Sequence, residues 1–355
     1  MRIPDCIKKP QSQVDAVRGL STGARTLAGA VLAVLLILPV MPSRVTAQPP
    51  SAAEEDLGAA IKVDVDVVSL YCTVHNKQNG LVGSLTKNDF DLAEDGKQQT
   101  IKYFSRETDI PLTMGLLIDV SGSQANMIDN ERQAGSQFFA SVLRRKDVAF
   151  LISFGADSDL LQDITGTPRL LQQGLGRLKL NTGYSGPTAG PVPTMNKQRG
   201  TVLYDAVYLA AHDMLATESG RKAIILITDG EDEGSKLNIK DAIEAAQKAD
   251  SIIYSILYVD RRFYGGFNMG YTGESALKQM SEETGGRLFT VGGKNTLDSI
   301  FGQIQDEMRT QYLVGYTPTN STKDGSFRKI DLRTHDKDQK VQVRKGYYAM
   351  PNNNR

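Results

Sequence analysis

The chain has 355 residues, of which 40% are apolar, and it carries 41 basic and 41 acidic side chains. This composition is typical of globular proteins, and the chain is long enough for about two domains. The balanced charge excludes a protein that binds nucleic acid through a global basic excess.

Residues 1–47 have the pattern of an export signal. A basic segment ends at Arg25, an apolar run covers 27–41, and Val45-Thr46-Ala47 fits a small-residue cleavage site. The run is short for a membrane-spanning helix, so we expect cleavage rather than a retained anchor. The protein would then be periplasmic, at the cell surface or secreted. Six basic and two acidic residues lie in this segment, which leaves 35 basic and 39 acidic ones and a net charge of −4.

Residues 61–108 are predicted to form antiparallel β-structure, after a flexible lead over 48–60. Apolar and polar residues alternate in this region, and Asn79-Gly80 and Asp95-Gly96 are hairpin signals. Cys72 lies in the alternating pattern and is the one cysteine outside the signal. We therefore expect a buried thiol and no internal disulfide.

The strands predicted over 61–108 contain too few residues to bury a large core alone. Further strand patterns follow over 311–349, before a short tail at 350–355. We therefore expect the two β-segments to pack together into one β-sandwich-like domain, with an α/β domain over 109–310 inserted between them.

The inserted domain opens with a strand that ends in polar residues. Residues 112–118 are apolar or glycine except for one threonine, which indicates a strand buried on both faces. Asp119, Ser121 and Ser123 follow, and their carboxylate and two hydroxyls are hard oxygen ligands of the kind that Mg²⁺ prefers. The same spacing also occurs in helix-capping turns, so this segment alone leaves both possibilities open.

Strand and helix patterns then alternate to residue 310. Apolar strand candidates are Val148–Phe154, Ala223–Thr228, Ile252–Val259 and Arg287–Val291, and apolar stripes at helical spacing run over 237–246 and 297–308. This alternation predicts a Rossmann-like α/β fold with a mainly parallel sheet between helices. Ligands of such sheets bind outside the carboxyl ends of the strands, where Asp119 and Asp229 fall.

Three segments, 112–123, 200–206 and 223–232, together resemble the von Willebrand factor type A (VWFA) domain and its metal-ion-dependent adhesion site (MIDAS). Five residues match in type and order: Asp119, Ser121, Ser123, Thr201 and Asp229. The resemblance implies that these residues surround one divalent cation, Mg²⁺ or else Mn²⁺ or Ca²⁺. It also implies that an Asp or Glu of a protein partner docks on the cation, replacing one of the waters that Mg²⁺ keeps at a site with few anionic ligands.

The regions that flank the inserted domain narrow the resemblance. The segments concerned are Leu85–Phe90, Glu94–Lys97, Tyr312–Tyr316 and Arg344–Tyr348. They resemble a bacterial VWFA-related family described chiefly from acidobacterial sequences, over nearly the whole mature chain. That family is defined more by sequence than by activity, so it implies a fold and a site but little physiology.

Two loops and an acidic run lie near the matching residues. The loops 181–200 and 260–273 are long and irregular, and we expect both to border the cation, the alternative being insertions without a role. The acidic run 231–233 fits a solvated turn, with a second cation or a general base as the alternatives.

The motifs predict a binding module rather than an enzyme. A Mg²⁺-dependent hydrolase is the rival class, but Ser121 stands where haloacid-dehalogenase-type phosphatases carry a second aspartate. A structural envelope scaffold whose metal only stabilises the fold is the other alternative. We expect a protein partner, no nucleic acid, and membrane contact only through a retained N-terminal anchor. The oligomeric state is left open.

Overall fold

Strands and helices follow one another as the periodicity of the chain indicates. The computed structural model describes residues 67–106, 110–181, 200–260 and 273–351, all of which lie in one compact unit. The strands are β1 (Val68–His75), β2 (Phe90–Glu94), β3 (Lys97–Gln99), β4 (Ile101–Ser105), β5 (Leu112–Asp119), β6 (Val148–Phe154), β7 (Ser158–Thr165), β8 (Arg221–Thr228), β9 (Ser251–Leu257), β10 (Leu288–Thr290), β11 (Tyr312–Tyr316), β12 (Phe327–Thr334), β13 (Lys340–Gln342) and β14 (Gly346–Tyr348). The α-helices are α1 (Ile128–Val142), α2 (Pro168–Leu175), α3 (Leu203–Leu209), α4 (Ile239–Lys248), α5 (Gly273–Thr284) and α6 (Leu297–Arg309). Within these ranges no helix is long and apolar enough to cross a membrane.

A six-stranded sheet with the order β10-β9-β8-β5-β6-β7 forms the centre. All its strand pairs are parallel except that of β6 with the edge strand β7. One face packs against α1, α2 and α6, and the other against α3, α4 and α5. Every residue of β5 and β8 is buried, which explains the apolar runs 114–118 in β5 and 223–227 in β8. The predicted α/β fold class is therefore confirmed.

Two elements differ in detail from the sequence pattern. The helix α4 begins at Ile239, two residues after Leu237, because the Asn238 side chain caps it by accepting the N–H groups of Lys240 and Asp241. The strand β7 has no sequence prediction, and its half-exposed and exposed residues are those of an edge strand.

The remaining strands form two antiparallel sheets that share one core. Their orders are β13-β1-β11-β4 and β14-β12-β2-β3. The strand β11 lies between β1 and β4, and β12 pairs with β2, so each sheet combines strands from both ends of the chain. Side chains from both sheets meet in a single apolar cluster. The predicted packing of the two β-segments is therefore confirmed, whereas the boundaries 61–108, 109–310 and 311–349 stay a prediction.

Cys72 belongs to the core of these two sheets. Its side chain is 1% exposed, and burial raises the pKa of the thiol to about 12. A neutral, inaccessible thiol is chemically inert, as expected from its place in the alternating pattern.

Candidate cation site

Two carboxylates meet at the carboxyl edge of the central sheet. Asp119 is the last residue of β5, and Asp229 directly follows β8. These strands are parallel neighbours, so their carboxyl ends lie side by side. Asp119 is 0% exposed and Asp229 is 2% exposed. The sheet therefore brings together two acidic groups more than 100 residues apart in the chain.

The Asp119 carboxylate has partners on both oxygens. Its Oδ1 accepts the backbone N–H of Ser121 at 2.9 Å, and its Oδ2 accepts the hydroxyl of Thr228 at 2.5 Å. Burial and then the charge of Asp229 raise the pKa of Asp119 to about 7, although both hydrogen bonds act in the opposite direction. No ion pair among the described residues involves Asp119, so no positively charged side chain there offsets its negative charge.

The two serines lie on the turn that follows β5. The hydroxyl oxygens of Ser121 and Ser123 are 3.1 Å apart. A 3₁₀ turn over Gly122–Gln124 produces this approach, because it curls the chain directly after Ser121. The turn leads into α1, which begins at Ile128.

Thr201 reaches the same edge through its backbone. The N–H of Val202 donates to the carbonyl of Gly155, directly after β6, at 2.9 Å. The Thr201 carbonyl accepts the N–H of Gly234, in the loop after β8, at 3.0 Å. A Cβ at Gly200 would overlap the side chain of Glu233 in that loop, so the close approach requires glycine here. Thr201 is thus held between the loops that follow β6 and β8.

Two carboxylates of the acidic run 231–233 accept hydrogen bonds from other parts of the chain. Glu231 accepts the backbone N–H of Gly273, the first residue of α5, at 3.1 Å. Asp232 accepts the hydroxyl of Ser235 at 2.5 Å and the N–H of Tyr204 at 3.3 Å. These two carboxylates therefore anchor the starts of α5 and α3, whereas Glu233 is exposed.

Both long loops fall largely on 182–199 and 261–272, which lie outside the described residues. Their described ends adjoin the loop after β5. The N–H of Asn181 donates to the Val120 carbonyl at 2.8 Å, and Asn126 donates to the Asp260 carboxylate at 2.8 Å. The expected contact of these loops with a cation stays a prediction.

Sequence reasoning missed a third carboxyl group. Glu131, in the first turn of α1, is 0% exposed. Burial and then the charges of Asp119 and Asp229 raise its pKa well above the usual range for glutamate. The signal in the sequence is a glutamate in the apolar stripe of α1, whose buried positions are Ile128, Glu131, Ala134, Gly135, Phe138, Phe139 and Val142.

The predicted ligand set fits a hard divalent cation by its donor chemistry. Across the described ranges, no three His, Cys, Asp or Glu side chains are grouped closely enough to hold a metal ion. The predicted set includes only two residues of those types, Asp119 and Asp229. Its other three donors are the hydroxyls of Ser121, Ser123 and Thr201. Every donor is an oxygen, as Mg²⁺, Mn²⁺ and Ca²⁺ prefer.

No family model matches the chain, and no curated protein matches it either. Several solved structures are similar in fold. One is proximal thread matrix protein 1 of the mussel byssus, with a zinc-occupied MIDAS motif, at 12% identity and a TM-score of 0.43, over 61% of this chain and 50% of that one.

Two bacterial structures show comparable similarity. The vWF domain of the type V pili tip protein Mfa5 from Porphyromonas gingivalis has 14% identity and a TM-score of 0.41, over 56% of this chain and 94% of that one. BatB from Bacteroides thetaiotaomicron has 18% identity and a TM-score of 0.39, over 56% and 97%. The chain spans about half the length of the mussel protein.

Proposed function

We propose that this chain is an exported, divalent-cation-dependent protein-binding module. Asp119, Ser121, Ser123, Thr201 and Asp229 would hold the cation, which is Mg²⁺ or alternatively Mn²⁺ or Ca²⁺. The bound ion would offer positive charge to an Asp or Glu of a protein partner. The assignment of the chain to the acidobacterial-type VWFA-related family is part of the same proposal.

One observation carries the proposal. Asp119 is wholly buried beside a second carboxylate, and no ion pair among the described residues compensates it. An uncompensated buried charge costs several kcal/mol in general. A divalent cation bound at this edge would remove that cost, and the hydroxyls of Ser121 and Ser123 supply neutral oxygens beside it.

The arrangement also supports docking rather than catalysis. A nucleophilic aspartate must itself reach a substrate, which the burial of Asp119 opposes, whereas a carboxylate that holds a cation can stay buried beneath it. The proposal therefore assigns no catalytic residue. It also assigns no nucleic-acid partner, because the chain carries no excess of basic side chains. A Mg²⁺-dependent phosphate-ester hydrolysis that disappears in Asp119→Asn would refute this part.

Export is proposed from the pattern of residues 1–47, which resembles a signal peptide. Residues 48–60 would then be a flexible lead. The VWFA-like domain over 109–310 would stand on the β-domain made from 61–108 and 311–349. Amino-terminal sequencing of the protein recovered from the periplasm or medium tests this directly, since cleavage predicts a start at Gln48.

The test of the cation site is calorimetric titration of Mg²⁺ and Mn²⁺ into the purified protein. We expect saturable binding at one site that is lost in Asp119→Ala and in Asp229→Ala. Asp129→Asn is the matched control, because it removes an exposed carboxylate from the start of α1 and should leave binding unchanged. Binding that survives in both alanine variants would refute the site.

The partner is tested with the same variants. Proteins captured from envelope extracts should be released by a chelator and absent with Asp119→Ala. If the protein binds the cation but captures the same partners with chelator present and with Asp119→Ala, it is instead a scaffold stabilised by its metal.

A further inference from the structure

Glu131 occupies a core position for which its chemistry is poorly suited. It lies in the apolar stripe of α1, which packs against the face of the sheet formed by alternate residues of β5. Neither of its carboxylate oxygens has a hydrogen-bond partner among the described residues. Buried carboxyl groups in proteins are normally hydrogen-bonded or paired with a cation.

The Glu131 side chain is buried, and its surroundings are negatively charged. Among the described residues, the charges that shift its pKa are those of Asp119 and Asp229, and both raise it. No ion pair among the described residues includes Glu131. A second orphaned acceptor lies on the preceding turn: Oε1 of Gln124 is buried without a partner, while Nε2 of Gln124 donates to the Tyr258 carbonyl at 3.2 Å. Three buried oxygen acceptors without donors thus belong to Glu131 and Gln124, in α1 and in the turn that leads into it.

We propose that Glu131 is a third carboxylate of the cation site, which acts on the bound ion without ligating it directly. This inference rests on the proposed function, because it assigns a residue to the same cation. Glu131 does not form a common ligand group with the two aspartates. It therefore contributes negative charge, and an acceptor for a cation-bound water, rather than a direct ligand bond.

The assignment explains why a carboxyl group is retained at an apolar position. With three carboxylates, the site favours a divalent over a monovalent ion, because the interaction with each negative charge doubles with the charge of the cation. Glu131 would also keep the ion in place when the partner's carboxylate leaves. It is a positioning residue for the cation and makes no contact with the partner.

Calorimetric titration of MnCl₂ and MgCl₂ into the purified protein and its variants tests the inference. Residues that support metal ligands from behind typically contribute roughly tenfold to a hundredfold to affinity, and we expect that loss in Glu131→Gln. Glu131→Asp leaves a cavity but keeps the negative charge. Because of that charge, it should bind the cation more tightly than Glu131→Gln. Glu94→Gln is the control, because it removes a buried carboxyl group from the β-domain and should not change affinity.

Thermal unfolding in a chelator separates affinity from folding. Glu131→Gln should be at least as stable as the unsubstituted protein there, since it removes an unpaired buried acid. Equal cation affinity in the unsubstituted protein and Glu131→Gln, or tighter binding by Glu131→Gln than by Glu131→Asp, would overturn the inference and leave the proposed function intact. No cation binding by the unsubstituted protein would instead overturn the proposed function, and this inference with it.

Discussion

Asp119→Asn should stabilise the cation-free protein at alkaline pH. The pKa of Asp119 rises from 3.8 to about 7 on folding. Between these values the folded protein holds a proton that the unfolded chain has released, so stability falls as pH rises through this window. Each pKa unit corresponds to about 1.4 kcal/mol, which gives a cost of about 4 kcal/mol above pH 7. Asparagine does not titrate, and its side-chain oxygen can still accept the N–H of Ser121.

The assay is urea unfolding of both proteins at pH 5 and pH 8 in a chelator. About one third of the cost is already present at pH 5, so the difference between the proteins should grow by about 3 kcal/mol towards pH 8. The three histidines are common to both proteins and cancel in this difference. Saturating Mn²⁺ should stabilise the unsubstituted protein at pH 8 and leave the variant unchanged.

Two results would refute this reasoning. If the unfolding free energies of the two proteins stay parallel from pH 5 to pH 8, Asp119 does not titrate on folding in this range. If Mn²⁺ stabilises Asp119→Asn as strongly as the unsubstituted protein, the cation binds elsewhere.

Three further predictions concern single side chains. Thr228→Val removes a hydroxyl that donates to a buried carboxylate and should cost about 1–3 kcal/mol in urea unfolding, whereas Thr290→Val at an exposed position should stay within about 0.5 kcal/mol. Cys72 should resist alkylation in the native protein and react only in denaturant, as measured by peptide mass spectrometry; modification under native conditions would contradict its burial. Tyr316→Phe should cost about 1 kcal/mol, because Glu94 loses one buried hydrogen bond of 2.5 Å; an unchanged denaturation midpoint would contradict that value.

The central sheet could be predicted from the sequence because burial on both faces leaves a clear pattern. Every residue of β5 and β8 is buried, and each strand contains an apolar run, 114–118 in β5 and 223–227 in β8, that ends where the polar loop begins. Asp119 and Asp229 stand directly at those ends. Their mutual approach follows from the parallel pairing of the strands, which the alternation of strands and helices already indicates.

Glu131 could not be placed from the sequence by the same reasoning. A glutamate near a helix start is usually a solvated residue at the favourable end of the helix dipole. Only the register of α1, set by its packing on the sheet, shows that this position faces inward. The hydrogen bond from Thr228 to Asp119 is similarly tertiary, since it joins residues 109 positions apart.

The position of β11 between β1 and β4 has a consequence for the order of folding. The first β-segment emerges from the ribosome early, but its sheet lacks a central strand until Tyr312–Tyr316 has been made. Closing a disordered loop of roughly 200 residues would cost about 5 kcal/mol in chain entropy. The folded α/β segment holds its own ends together, because Arg221 donates to the carbonyls of both Ile110 and Met308, and this removes most of that cost. The β-domain should therefore be the last part to gain protection in pulsed hydrogen exchange, and its early strands remain open to mispairing until then.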